Sequence, residues 1–485
     1  MHNSTELTDT DLKALWQSID WKQVESSVSN LQARIARAAL EKRWNEVKRL
    51  TRLLTRSYYA KLLAVRQATT SKGKNTPGVD GTIWKTPADK MRGALSLNDR
   101  GYRAMPLKRI YIPKKNGKQR PLSIPTIRDR TMQALFALAL APIEYSTGDR
   151  SSFGFRKRRS TKDACHQACN CLSKKYSARW ILEADIKACF DMISHIWLLN
   201  HIPIRKSILR QFLKAGFFEG SRLFPTTSGT PQGGVVSPIL ANMVLNGLEE
   251  VLGKRFYSTK KGIIDKANNN RHKVNLIRYA DDLVITADSE EIAEEIKKIL
   301  IEFLHERGLQ LSEEKTHITH ISKGFTFLGW EFRKFKDKLL ICPSKDSISS
   351  YTEKIHKILR HGRSWSQDAV ISAINPITRG WCNYHKHTAA SKTFSKLDHV
   401  TFNMLYAWAK RKHPNESRTV IVDKYWHRKG SRKWVFSTKT QELIELSKTK
   451  IWRPCMVRLD MNPFLDTEYF EERQSKGHID KNSLF

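Results

Sequence analysis

Tyr279-Ala280-Asp281-Asp282 sets two adjacent carboxylates between apolar, strand-like runs, NLIRY before and LVITAD after. The pattern predicts a strand, a tight turn and a second strand, with the carboxylates at the tip. Two like charges side by side repel and cost stability unless a cation neutralises them. Taken alone, such a pair is equally an ordinary solvent-exposed Asp-Asp turn. Asp185, however, ends a further apolar run, RWILEADI, which predicts a buried strand where an unpaired carboxylate is expensive. A strand-end carboxylate and a hairpin-tip pair can gather about one point. That set suits two hard Mg²⁺ ions about 4 Å apart, activating an attacking 3′-oxygen and stabilising a leaving pyrophosphate.

Other elements must position these groups. Apolar residues at helical spacing predict one or two basic helices over 24–67, ending in the Gly/Pro/Asn loop SKGKNTPGVDG. RIYIPKKNGKQRPLSIP alternates apolar and polar residues around Asn116-Gly117, a strong hairpin signal. A helix is expected over 129–143. Ser237 and Pro238 read as N-cap and first residue of another helix, and Gly308 closes an amphipathic helix starting near Ser289. FTFLGWEF reads as a strand, the region beyond about 345 as helical and basic, and the stretch after 460 as a polar tail. There is no internal repeat and no low-complexity segment.

Composition bounds the partners. The 485 residues hold 85 Lys and Arg against 48 Asp and Glu, a formal charge of +37. The excess is spread: residues 31–75 carry 12 basic and 2 acidic side chains, and residues 333–450 carry 25 and 9. Basic surface in two separated regions points to one large polyanion gripped by several domains, with nucleic acid well ahead of an anionic membrane. No run of apolar residues is long enough to span a bilayer. The start has neither secretory-signal nor transit-peptide character, so a cytoplasmic location is expected. Seven cysteines fit a reduced chain, and without a paired C-x-x-C, zinc is not expected.

The blocks NTPGVDG, YIPKKNGKQRPLSIP, SSFGFRKRRS, ADIKACFD, GTPQGGVVSPILAN, RYADD, LSEEKT and FLGWEF follow one another in the order of the polymerase motifs of a known family. With NPITRGWCNYH and LDHVTFNMLYAWAKRKHP downstream, the chain resembles a group II intron-encoded protein, a reverse transcriptase joined to a maturase, over about residues 20–470. The resemblance implies an α+β fold, a right-hand polymerase with fingers and antiparallel-sheet palm followed by a mostly helical thumb. The boundaries it implies are a basic helical RNA-binding extension at 1–95, fingers and palm at 96–335, a thumb/maturase domain at 336–440 and a tail at 441–485. Carried onto this sequence, Asp185, Asp281 and Asp282 are the catalytic aspartates, with Ile186 beside Asp185 in the metal set. Two Mg²⁺ ions are the implied cofactor, with Mn²⁺ as a substitute. Lys315 is implied to protonate pyrophosphate. Lys114, Arg120, Phe190 and Gln232 bind the dNTP, Phe190 as the aromatic that excludes a ribose 2′-hydroxyl. Phe155, Arg156 and Arg159 are placed on the template, and Lys410, Arg411 and Lys412, beside Trp408, on RNA. Gly229, Gly233 and Gly234 would let backbone approach the nucleotide.

The implied partners are group II intron RNA, a DNA target and primer, and dNTPs, with no membrane and with dimerisation left open. Two function classes stay in play: RNA-directed DNA synthesis with retrohoming by target-primed reverse transcription, and a non-catalytic splicing cofactor or a host-recruited enzyme of the same lineage. Phe190 and the Ala in the hairpin turn disfavour an RNA-dependent RNA polymerase. Many relatives continue into a Cys/His-bearing DNA endonuclease; with only Cys455 and His478 late in this sequence, nuclease activity is expected to be absent.

Overall fold

Polar caps start the first helices. Thr8 and Asp11 bond reciprocally at the start of helix Asp9–Gln17, and Asp20 caps helix Trp21–Leu40 through the Lys22 and Gln23 amides. The computed structural model describes residues 7–113, 117, 119–452 and 455–475. The basic stretch expected to form one or two helices divides into three, Trp21–Leu40, Trp44–Arg56 and Tyr58–Thr70. The breaks fall at Lys42, in the left-handed region, and at Ser57, in extended conformation. Their buried faces, Val24, Val28 and Ile35, then Leu50 and Leu54, pack with helix Ile127–Thr147.

Strands β1 (Leu107–Pro113) and β2 (Gln119–Ile124) pair antiparallel with Pro113 opposite Gln119, so the hairpin expected around Asn116-Gly117 forms. Lys114 lies outside the described residues. β3 is Trp180–Asp185, β4 Phe217–Glu219 and β5 Arg222–Phe224. The first sheet has order β2-β1-β4-β5, with β1 and β4 parallel. β6 (Asn275–Tyr279) and β7 (Asp282–Ala287) form a second hairpin in the sheet of order β6-β7-β3-β8, β8 being His317–His320. β9 (Phe325–Phe327), β10 (Trp330–Phe335) and β11 (Lys338–Pro343) make an antiparallel three-stranded sheet. The chain is thus α+β with mainly antiparallel sheets, the fold class expected. No helix among the described residues is long and apolar enough to cross a membrane.

One cap differs from expectation. Helix Ser237–Leu245 starts one residue earlier than read, with Val236 in the cap position, because the Ser237 hydroxyl donates to the Pro231 carbonyl instead of capping.

The chain divides into two compact units. The first takes residues up to 160, 182–318 and those from 457 on. The segment read as a polar tail therefore returns to this unit: Phe464 packs on Ala36 and Tyr145, and the Asn462 amide donates to Ser146. The second unit takes 161–181 and 319–456. Helices Lys345–His361, Gln367–His385, Ser391–Lys412 and Arg418–Tyr425 bury Tyr351, Ile374, Phe394, Leu405 and Trp408 together. A hairpin that the charged run WHRKGSRKW conceals, β12 (Trp426–Lys429) with β13 (Arg432–Phe436), packs Trp426 and Phe436 against the same core. Cys165 is buried and Cys169 half-buried in helix Thr161–Leu172.

This unit also buries two histidines. His385 meets the Ser347 hydroxyl at 2.9 Å, and His387 lies edge-on to Trp330. Burial pushes both imidazoles down to about 3, helped at His387 by His166 and Lys162. The unfolded chain then binds these protons near pH 6.5 and the native one does not, so stability falls as pH drops below about 6.5. At pH 5 each histidine should cost roughly 2 kcal/mol. Thermal melts at pH 7 and pH 5 should show a steep loss that His387→Phe reduces. Equal acid sensitivity in that variant would refute the assignment.

Candidate functional site

The β6–β7 turn has only two residues, Ala280 and Asp281, since Tyr279 pairs with Asp282. Ala280 takes φ 58°, the positive value that such a tight turn demands at its first position. The turn is held from behind. Residues 151–153 run along β6: Arg278 donates its amide to the Ser151 carbonyl, and Phe153 donates to that of Arg278. Gly154 then lies so close that a Cβ there would sit 2.3 Å from the Ala280 nitrogen. Beneath the turn, the fully buried Arg278 guanidinium donates to Asn242 at 3.1 Å, to Asn246 at 2.6 Å and to the Ala280 carbonyl at 3.4 Å. Neither Gly154 nor Arg278 was singled out from sequence, although both flank motif residues that were.

Asp185 ends β3. Its carbonyl accepts from the Ser312 amide, and its carboxylate accepts from Lys315 at 2.6 Å, so LSEEKT is brought to ADIKACFD. That carboxylate raises the Lys315 ammonium above its ordinary value. Asp281 is pushed up by burial and then by the Asp185 charge. Asp282 reaches solvent, yet the protein around it displaces enough water, together with the charges of Asp281 and Asp185, to push it up to about 6. Three sequence blocks thus share one electrostatic site. Ile186 is buried and bridges to Leu311.

Among the described residues no three His, Cys, Asp or Glu side chains form a closed metal cage. Carboxylates carried by separate strands repel, and Lys315 stands against one of them. The donor set still fits hard divalent ions, because it is all oxygen and its mutual repulsion is what a dication relieves.

The residues read for nucleotide binding form a chain: Arg120 donates through Nε to the Gln232 carbonyl oxygen at 3.1 Å. Phe190 is half-buried, its ring edge-on to Phe155 at 6.3 Å. Phe155 is 52% exposed and so accessible. Arg156 and Arg159 are not where the template reading put them. Both are buried, Arg156 paired with Glu144 at 2.9 Å and Arg159 bonded to the Tyr145 hydroxyl and the Ser152 carbonyl. Adjacent cations inside SSFGFRKRRS look exposed in sequence; the fold turns them onto Glu144 and Tyr145 of the preceding helix and onto the Ser152 carbonyl of the same block.

The thumb cluster is also reassigned in part. Trp408 is 2% exposed and donates to the Gly362 carbonyl, so it cannot stack on a base. Lys410 donates to the Pro414 and Glu416 carbonyls, Lys412 to that of Trp365, and Arg411 is exposed. Lys410 thus holds the loop that follows its own helix, and Lys412 ties that helix end to the loop at Trp365.

Comparison with known proteins decides the family. The profile for the N-terminal domain of reverse transcriptase matches residues 16–97, that for reverse transcriptase (RNA-dependent DNA polymerase) matches 112–332, and that for the group II intron maturase-specific domain matches 348–426. Group II intron-encoded protein LtrA of Lactococcus lactis is 30% identical over 475 residues, covering 80% of this chain and 78% of that protein. The chain belongs to the group II intron reverse transcriptase/maturase family. Protein YkfC of Escherichia coli is 33% identical over 62% of this chain and 87% of its own, and maturase-like protein 1 of Euglena longa is 23% identical over 76% and 78%. A solved telomerase from Candida albicans aligns at a TM-score of 0.35 and 12% identity over 68% of this chain and 65% of its own, a likeness too slight to inform the site. The reverse transcriptase match runs from the end of β1 through β2 and takes in the sheet that carries Asp185, Asp281 and Asp282.

Proposed function

We propose that this chain is an RNA-directed DNA polymerase that also binds its group II intron RNA, assisting splicing and retrohoming by target-primed reverse transcription. The observation that carries the reading is the meeting of Asp185, Asp281, Asp282 and Lys315, from three separate sequence blocks, in one charged site. Asp185, Asp281, Asp282 and the backbone at Ile186 would hold two Mg²⁺ ions. When bound, such ions lower the pKa of the attacking 3′-hydroxyl and stabilise the leaving pyrophosphate. Arg120, together with Lys114, grips triphosphate oxygens, Arg120 in a bidentate fork. Lys315 keeps its proton because Asp185 holds it, and hands that proton to pyrophosphate. Residues 1–95 act as an RNA-binding extension, 96–335 as fingers and palm, and 336–440 as thumb and maturase. The basic excess of 333–450 supplies phosphate contacts to the intron.

Purified chain should extend a DNA primer on an RNA template with dNTPs and Mg²⁺, and should restore splicing of its intron at low salt. In the same assay Phe190→Ala should relax discrimination against ribonucleotides by roughly 30- to 150-fold, about 2 to 3 kcal/mol for one steric contact. An active variant with unchanged discrimination would return Phe190 to a packing role alongside Phe155.

A further inference from the structure

We infer that Asp191 is a positioning residue for the incoming nucleotide, acting through Gln232 on Arg120; the inference rests on the polymerase reading above. Asp191 follows Phe190 in the short helix Cys189–Met192. Its carboxylate accepts from the Gln232 amide nitrogen at 2.9 Å, while the Gln232 oxygen accepts from Arg120 Nε at 3.1 Å. A carboxylate only accepts and a guanidinium only donates. With those two ends, a single orientation of the Gln232 amide satisfies both bonds. The charges at the ends polarise the amide between them in the sense that strengthens each bond. Arg120 is engaged through Nε, so its paired terminal nitrogens point their fork elsewhere, the geometry suited to phosphate oxygens.

The backbone is arranged to support this chain. The Gly229 and Thr230 amides donate to the Ile193 and Phe190 carbonyls, and the Ser228 hydroxyl donates to the Asp191 carbonyl. At the other end of the same loop, Ser123 on the β2 strand donates its amide to the Gln232 carbonyl. Gly229 and Gly233 both have positive φ, and a Cβ on either would strike backbone, that of Phe190 and Asp191 or that of Ser123. Gly229 and Gly233 thus let protein backbone close on this loop. Residues 228–233 tie the turn bearing Phe190 to the strand bearing Arg120, and Asp191 sets the side chain at the middle of that tie.

The test uses the full chain, a homopolymer RNA template with annealed DNA primer, the complementary dNTP and Mg²⁺. Asp191→Asn keeps the shape but can donate as well as accept, so the amide loses its enforced orientation. KM for the dNTP should rise about tenfold, as expected for losing one hydrogen bond to a charged group, with kcat within about threefold. Equilibrium dNTP affinity on a dideoxy-terminated primer should fall by the same factor, and this arm reads even variants too slow to turn over. In a Gln232→Ala background, Asp191→Asn should change neither quantity, because the residue through which it acts is gone. An equal effect in both backgrounds, a loss in kcat alone, or no effect in an otherwise active chain overturns the assignment while leaving the polymerase reading intact. Wild-type chain that extends no primer overturns the polymerase reading and this inference with it.

Discussion

Replacing Asp281 and Asp282 together by Ala should reduce RNA-templated DNA synthesis by at least about three orders of magnitude, since the displacement loses its electrostatic clamp on both oxygens. Folding should survive. The two residues meet at a turn whose ladder bonds are made by backbone, and Tyr279 still pairs opposite position 282. Both carboxyls are pushed above their ordinary range, which means the folded site disfavours their charge. At neutral pH their removal should leave the melting temperature equal or higher. Lys315 should move the opposite way, losing part of the field that raises it. Intron binding draws on cations spread over other surfaces, so splicing should persist at near wild-type protein concentration and keep its salt dependence. Both activities would be measured on one preparation, with folding followed by melting. A folded variant that has lost splicing along with synthesis would mean the two functions share a site.

The contrast between what was legible and what was not follows the range of the interactions. The three aspartates, the two hairpins and helix Glu290–His305 announce themselves through short local patterns of alternation, turn dipeptides and caps. Family order then added roles for Gln232 and Lys315 that no local pattern carries. Arg156 and Arg159 were misplaced because a run of cations reads as solvated surface, whereas Glu144, Tyr145 and Ser152 reach them only in the fold. Ser237 has the composition of a cap, but a carbonyl six residues back competes for its hydroxyl. Phe464 returns to Ala36 and Tyr145 across more than 300 positions, a pairing with no signature in either segment. Asp191 carries no local signal beyond its place next to Phe190. Only the distance to Gln232 reveals it.

The largest effect on stability is expected at Arg278, which the motif RYADD presents as a mere neighbour of the carboxylates. Its guanidinium is buried with Asp149, Glu144 and Arg156, two cations and two anions among which Arg156 pairs with Glu144 and Arg278 lies 4.0 Å from Asp149. Asp149 also accepts from the Gly247 and Glu249 amides, yet burial still pushes it up to about 6. Arg278→Met would retain much of the volume but leave Asp149 without its counter-charge and Asn242 and Asn246 without their donor. Breaking a buried pair on one side costs about 3 to 5 kcal/mol. The support under the Ala280 carbonyl goes too, so synthesis should fall even below the melting transition. Arg278→Lys should recover little, because one ammonium cannot fork to both asparagines and the carbonyl. Removing the second charge, as Arg278→Met with Asp149→Asn, should regain at least half of the lost stability, since the unpaired anion is then gone. The pH dependence has a definite sign. Asp149 holds its proton more tightly folded than unfolded, and losing the Arg278 charge that lowers it raises it further, so the single variant should go on losing stability as pH rises above 6, while the double variant should not. Melting curves for both variants at the two pH values decide the matter. A single variant that melts like wild type, or losses that simply add in the double, would show that Arg278 does not neutralise Asp149 and that the hairpin tip is held by its backbone contacts alone.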